Sequence, residues 1–254
     1  MKFFKDGDVW SLIPSERVDV RDELPSRVFS FCKNKMSGEY YLEEAKPFQL
    51  PAVIYGKVSH YGSRILTSFK SENGQTGVLL SGEKGSGKSL LAKYLAVNSG
   101  LPVLIVNSAF CDDLFLRTVQ GITQPVVILF DEFEKVYDGS EQFKILTLFD
   151  GLYNSGKKLL ILTCNSLHKV NDFFLNRPAR IRYSIAFSSL EVSFIEEYCK
   201  DRLNDKKLIP EIINISLACY NFNFDMLQAL VSELNAWPEY SVDDILEILN
   251  VKTI

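Results

Sequence analysis

Residues 82–89 read GEKGSGKS, which puts Gly82, Gly87, Lys88 and Ser89 in the pattern G-x-x-x-x-G-K-[ST]. A backbone that curls its N–H groups inward around an anion passes through dihedrals and close approaches that a β-carbon obstructs, hence the glycines. The turn Gly82, Glu83, Lys84, Gly85, Ser86, Gly87, Lys88, Ser89 and Leu90 is therefore the candidate phosphate cradle. Lys88 supplies a mobile positive charge for the outer phosphates, and the Ser89 hydroxyl is the candidate Mg²⁺ ligand. The flanks decide between this and a glycine-rich surface turn. Val78-Leu79-Leu80 reads as a buried strand, and Leu90 to Ala96 is apolar at helical spacing with a stop at Gly100. Strand, loop and helix occur in the order that aims a helix N-terminus at an anion.

That constraint sets an α/β fold, and the rest of the chain is consistent with it. A chain of 254 residues, 46% apolar, holds one large α/β domain and a smaller unit. No run approaches the roughly 18 apolar residues of a membrane helix, and residues 1–7 lack a signal-peptide apolar core. A cytoplasmic protein is expected, in the host cytoplasm for a viral source, with no membrane partner. The five cysteines are scattered and form no C-x-x-C pair, and His60 and His168 are too isolated for a metal cluster or a catalytic imidazole. A net charge of −4 argues against a broad nucleic-acid surface while leaving room for a local basic strip.

Residues 1–50 read as a small β-rich N-terminal module, either a cap on the main core or a docking surface. Asp6-Gly7 sits between aromatic runs, and Ser37-Gly38 lies between Val28–Phe31 and Tyr40–Leu42. Residues 51–189 read as the α/β domain. A helix carries Tyr61, Ile65, Leu66 and Phe69, and strands lie near 78–80, 102–107, 125–130, 159–163 and 183–187. Further helices fall near 112–120 and 141–153. Apolar strands alternating with helices give a parallel sheet covered on both faces. Residues 190–254 are helical only, with segments at 190–203, 209–220, 224–234 and 242–249, the pattern of a small bundle.

The strongest buried strand, Val126 to Phe130, ends in Asp131-Glu132. Adjacent carboxylates at such a place need partners, because burying them alone costs several kcal/mol. Mg²⁺ answers this: Asp131 holds the metal bound by Ser89, and Glu132 orients and deprotonates the attacking water. After the next strand, Asn165 is placed to reach the γ-phosphate and that water. Arg177 and Arg180 flank Pro178-Ala179 and have no obvious path to the same molecule's phosphates. Arginines supplied in trans contribute about 10³ to 10⁵ in phosphoryl transfer, whereas a solvated basic turn contributes nothing.

In this order and spacing the motifs resemble the AAA clade of the AAA+ ATPases, over residues 51–254: GEKGSGKS as Walker A, VVILFDE as Walker B, LTCN as sensor 1 and FLNRPARI as the arginine-finger box. The resemblance implies an AAA+ P-loop domain with strand order 5-1-4-3-2 and a C-terminal helical lid, ATP and Mg²⁺ as ligands, and adenine lined by Ile54, Tyr55 and Gly56. It also implies Asn165 as sensor 1, Arg177 and Arg180 as fingers reaching a neighbour's ATP, and a homo-oligomeric ring, usually a hexamer. The lid lacks a sensor-2 arginine near Asn223-Phe224-Asp225-Met226, as the AAA clade often does. The connection from Asn107 to Val126 is short, with Phe110 as its aromatic candidate for a pore loop. This compactness looks more like the mitochondrial translocase of the Rieske protein than like threading unfoldases. The expected activity is ATP hydrolysis that remodels or translocates a macromolecular client, a protein by preference. The alternatives are a helicase-loader or replication-type AAA+ ATPase acting on a nucleic-acid complex, and a nucleotide-dependent scaffold without hydrolysis.

Overall fold

The computed structural model describes residues 2–6, 9–13, 21–72, 74–150, 156–175, 177–219 and 222–249, with side chains from residue 21 onward. Gly7 of the Asp-Gly turn, the end of the helix expected over 141–153, Asn176 and Tyr220 lie outside them.

The glycine loop joins β5 (Thr76–Gly82) to α2 (Lys88–Ser99). β6 (Val103–Val106), α3 (Asp113–Gly121) and β7 (Val126–Phe130) follow. Next come a one-turn α4 (Phe133–Val136), α5 (Gly139–Leu146), β8 (Lys158–Cys164) and β9 (Tyr183–Phe187). Ahead of them lie β1 (Lys2–Asp6), β2 (Val9–Ile13), β3 (Val28–Lys33), β4 (Tyr40–Glu44) and α1 (Val58–Ser71). The main sheet runs β4-β3-β6-β7-β8-β5-β9, so the five strands from β5 onward take the expected order 5-1-4-3-2. All its pairings are parallel except β3 with β4.

Why these strands are central follows from their side chains, which alternate between two apolar layers. Leu79, Ile128, Phe130, Leu160 and Leu162 enter the layer under α3, α4 and α5, while Val78, Leu80, Val127, Leu129, Leu159 and Ile161 enter the layer under α1 and α2. A strand apolar on both faces has no favourable place at a water-facing position. β9, at the edge, is partly exposed along its length.

The expectation of a separate β-rich unit over 1–50 divides into two findings. β1 and β2 pair antiparallel in their own two-stranded sheet, Lys2 opposite Ile13 and Asp6 opposite Val9. β3 and β4 instead extend the main sheet, with Val28 opposite Val103 and Phe29 opposite Leu104. Phe29 and Phe31 enter the α3-side core, and Asp112, the N-cap of α3, accepts from Lys33 Nζ at 2.5 Å and Tyr40 Oη at 2.9 Å. The hairpin is thus clasped to the sheet from two directions.

α6 (Val192–Arg202), α7 (Ile209–Ala218), α8 (Phe224–Ala236) and α9 (Val242–Ile248) bury a third apolar cluster of their own, around Ile195, Ile212, Leu227, Leu230 and Ile245. Tyr55, from the segment ahead of α1, is buried in it. The helix expected over 141–153 is shorter: α5 starts at a capping box between Asp138 and Glu141 and gives way after Leu146 to tight turns that bury Leu148 and Phe149.

Candidate active site

At the carboxyl end of β5 the chain turns through three left-handed glycines, Gly82 (φ 140°), Gly85 (φ 74°) and Gly87 (φ 104°). At Gly82 a β-carbon would lie 2.1 Å from the Phe187 carbonyl oxygen, so β9 itself excludes any side chain there. No side chain caps the N-terminus of α2, whose first-turn amides face the loop. Lys88, 7% exposed, folds back and donates from Nζ to the carbonyls of Gly82 and Glu83, both at 2.6 Å. Burial pulls this ammonium below the ordinary lysine value, opposed by Cys164 and by the carboxylates of Glu134, Asp131 and Glu132. Ser89 stands exposed on the first turn of α2.

The next polar layer comes from β7 and β8, neighbours in the sheet. Thr163 Oγ1 donates to Asp131 Oδ1 at 2.6 Å and accepts the Glu132 N–H at 2.9 Å, which fixes both acidic residues to the adjacent strand. Glu132 is left-handed (φ 48°), the one non-glycine residue with positive φ among those described. Such a backbone persists in a non-glycine residue only where its surroundings hold it. Asn165 Nδ2 donates to Glu132 Oε1 at 3.2 Å, and Lys135 Nζ donates to the same oxygen. Lys135 foremost, with Asn165, holds the Glu132 carboxyl below the usual carboxylate range despite the opposing effect of burial.

Beside the loop opens a cavity of about 410 Å³ whose walls include Tyr55, Gly56, Ser86, Leu90, Phe194 and Phe224. Its aromatic wall is continuous: Tyr55 to Tyr198 at 5.0 Å, Tyr198 to Phe224 at 5.2 Å and Phe194 to Phe224 at 5.2 Å between ring centroids. An apolar slot with a few fixed polar groups suits a planar base. Of the three residues expected to line adenine, Tyr55 and Gly56 line this cavity, whereas Ile54 packs against the α1–α2 core layer. The Gly56 N–H is bound by Glu197 Oε2 at 3.0 Å. The lid closes over the tip of the loop: Phe224 N–H donates to the Gly85 carbonyl at 3.3 Å, and a β-carbon on Gly85 would lie 2.6 Å from Asp225 Oδ2.

Arg177 and Arg180 lie at the other end of the sheet. The Arg180 carbonyl oxygen would sit 1.9 Å from a β-carbon at Gly77, so the arginine turn rests on the start of β5. From Gly77 to Gly82 is about 16 Å of extended chain. Arg180 is held internally, Nε by Asp150 and Nη1 by the Phe173 carbonyl at 2.8 Å, whereas Arg177 is exposed with its guanidinium 5.8 Å from the centre of the exposed Phe173 ring.

The site's fit to a nucleotide triphosphate and Mg²⁺ can be tested on its unmet needs. Among the described residues, two buried side-chain polar atoms have no hydrogen-bond partner, Ser86 Oγ and Glu134 Oε2. Ser86 is in the glycine loop, and Glu134 two residues beyond Glu132. Orphans of this kind are uncommon in folded proteins and ask for a bound water, an ion or a role. With the left-handed glycines, the exposed Ser89 hydroxyl on the first turn of α2 and the Asp131 carboxylate at the end of β7, the donor set fits phosphates and a hard cation.

Comparison with known proteins points the same way. Residues 63–177, a little under half of the chain, match the family described as "Sigma-54 interaction domain". Among curated proteins the chain is similar to the ATP-dependent zinc metalloprotease FTSH 9, chloroplastic/mitochondrial, of Oryza sativa subsp. japonica (24% identity over 155 residues, 54% of this chain and 20% of that one). It is likewise similar to FTSH 11, chloroplastic/mitochondrial, of Arabidopsis thaliana (26%, covering 54% and 19%) and to FtsH of Aster yellows witches'-broom phytoplasma (27%, covering 54% and 23%). The chain thus spans about a fifth of the length of the curated relatives it matches. The fold is that of an AAA+ P-loop domain. The likenesses support an AAA+ ATPase.

Several residues of this AAA+ site were not singled out from sequence. Glu134, Thr163 and Lys135 act through contacts between strands or across the turn after Glu132, and Glu197, Asp225 and Arg202 come from the lid. The spacing Asp131-Glu132-x-Glu134 was the one local signal available. Phe110, the aromatic candidate for a pore loop, packs inward against Tyr40 at 5.1 Å and Phe115 at 5.8 Å. No helix among the described residues is long and apolar enough to cross a membrane.

Proposed function

We propose that this chain binds and hydrolyses ATP in a homo-oligomeric ring, a hexamer by the resemblance, and uses the cycle to remodel or translocate a protein client in the cytoplasm. The carrying observation is the division of parts along β5 and β9. Lys88, Asp131, Glu132 and Asn165 share one sheet end, while the turn that carries the exposed Arg177 rests against Gly77 at the other. A site whose arginine is on the far side of its own subunit is completed by a second copy.

In this reading Gly82 to Leu90 hold the phosphates, Tyr55 and Gly56 border the base, and Ser89 and Asp131 hold Mg²⁺, which supplies charge neutralisation at the phosphates. Glu132, kept ionised by Lys135, takes the proton of the attacking water, and Asn165 fixes its carboxylate. The protein-client part rests on the FtsH-type likeness and on the acidic surface balance. The short β6–β7 connection supports movement of a client without threading, since both of its aromatic residues, Phe110 and Phe115, are packed against Tyr40.

The test is phosphate release by the Glu132→Gln variant. It should bind ATP and assemble as wild type does while turnover falls by about 10² to 10⁴, and undiminished turnover would refute the assignment. Hydrolysis stimulated many-fold by DNA or RNA and lost with added salt would replace the protein client by a nucleic-acid one.

A further inference from the structure

Glu134 is the second residue of α4, a single turn that starts directly after the left-handed Glu132. The turn is held from below by Phe133, fully buried, with ring contacts to Phe130 at 6.2 Å, Tyr137 at 5.1 Å and Phe174 at 5.4 Å. That anchor, together with the kink, brings Glu134 back toward the end of β8 instead of out to solvent. Its Oε1 accepts the backbone N–H of Asn165 at 2.8 Å. The side chain of the same Asn165 donates to Glu132 Oε1 at 3.2 Å. Two carboxylates two residues apart are thereby joined through one asparagine, which one grips by its main chain and the other receives by its amide.

A plain strand-end cap would need only Oε1. The second oxygen, Oε2, is buried with no hydrogen-bond partner, one of the two such side-chain atoms among the described residues. A buried carboxylate oxygen left unmet is costly, so its retention at this spot asks for a reason in the working state of the site.

We propose that Glu134 is a positioning residue for hydrolysis: it fixes the main chain of Asn165, and through the Asn165 amide it sets where the Glu132 carboxylate points. This inference rests on the reading of the site as an ATPase. Hydrolysis by a base held at the wrong angle loses rate without losing bound substrate, because positioning acts on the transition state and not on phosphate binding.

The experiment measures kcat, KM and melting temperature for wild type, Glu134→Ala, Glu134→Gln, Glu134→Asp, Asn165→Ala and the Glu134→Ala/Asn165→Ala double variant. Glu134→Ala should lower kcat by about 10- to 100-fold with KM within about threefold. Glu134→Gln keeps an acceptor for the Asn165 N–H and should recover most of the rate. Glu134→Asp keeps the charge but is one methylene too short, and should be nearly as slow as Ala. The double variant should be no slower than Asn165→Ala by more than about twofold, the non-additivity expected of residues acting in series. Additive losses, a rise in KM at constant kcat, or Glu134→Ala at full rate would each overturn the inference. If Glu134→Ala does not fold, the Gln-against-Asp contrast decides: equal rates overturn it. A wild type that binds ATP without hydrolysing it would sink the ATPase reading itself, an outcome distinct from all of these.

Discussion

The two ends of the β5–β9 pair are built on opposite rules. At the carboxyl end four groups are tied to others in the same chain: Lys88 to loop carbonyls, Asp131 and Glu132 to Thr163, and Asn165 to both Glu132 and Glu134. At the amino end Arg180 is similarly tied, to Asp150 and Phe173, but Arg177 stands in solvent on an exposed ring. A pre-arranged, internally bonded site lowers the reorganisation needed in a reaction, and a group left exposed has no such pre-arrangement. The contrast separates a fixed half-site from a group offered outward, and it treats Arg177 and Arg180 differently although the sequence presents them as a pair.

The hardest blow to this contrast would come from mixed assemblies. Arg177→Ala should cut hydrolysis by about 10³ when every subunit carries it, and mixing Arg177→Ala subunits with Glu132→Gln subunits, each inactive alone, should restore part of the hydrolysis. No recovery in such mixtures would break the division. Arg180→Ala should separate from Arg177→Ala in stability: losing a partly exposed ion pair and a hydrogen bond to Phe173 should lower stability by about 1 kcal/mol, read by thermal melting, while Arg177→Ala melts as wild type. Asp225→Asn removes a carboxylate that lies against Gly85, so ATP should bind a few-fold tighter and adenosine unchanged, by titration at low salt. The smallest change belongs to the far sheet edge. Asp112→Ala removes an N-cap and the clasp on β3–β4, and should lower stability by about 1 kcal/mol with hydrolysis per folded molecule unaltered. Burial pushes the Asp112 carboxyl up, but Lys33, the Phe115 N–H and Tyr40 outweigh it and hold it below the usual range. A depressed carboxyl stabilises above its unfolded pKa and loses that contribution as pH falls through the folded one, so wild type and variant should converge in acid.

Much of this was legible in the chain because the informative positions are local. β5, β7 and β8 are apolar on both faces, so their composition alone marks them as central, and the glycine loop is written in eight consecutive residues. The attachment of β3 to β6 is not local: alternation in Val28 to Lys33 says that a strand exists and nothing about its neighbour. Ile54 sits in an apolar tripeptide beside Tyr55, and only the turn at Gly56 (φ 67°) decides that one faces the core layer and the other the cavity. The left-handed Glu132 has no sequence signature, and with it went the role of Glu134. The Asp138 and Glu141 spacing marks the start of α5, a signal that apolar periodicity alone misses, and it does not mark the end after Leu146.

The bond from the Phe224 N–H to the Gly85 carbonyl joins the rim of the loop to the first residue of a thirteen-residue helix. A rigid rod fastened at its tip to a small hinge converts a displacement of an ångström there into a larger sweep at Ala236. As long as that bond holds, a shift of Gly85 is carried into the helix, which makes its far end at Ala236 a place to watch for events at the loop.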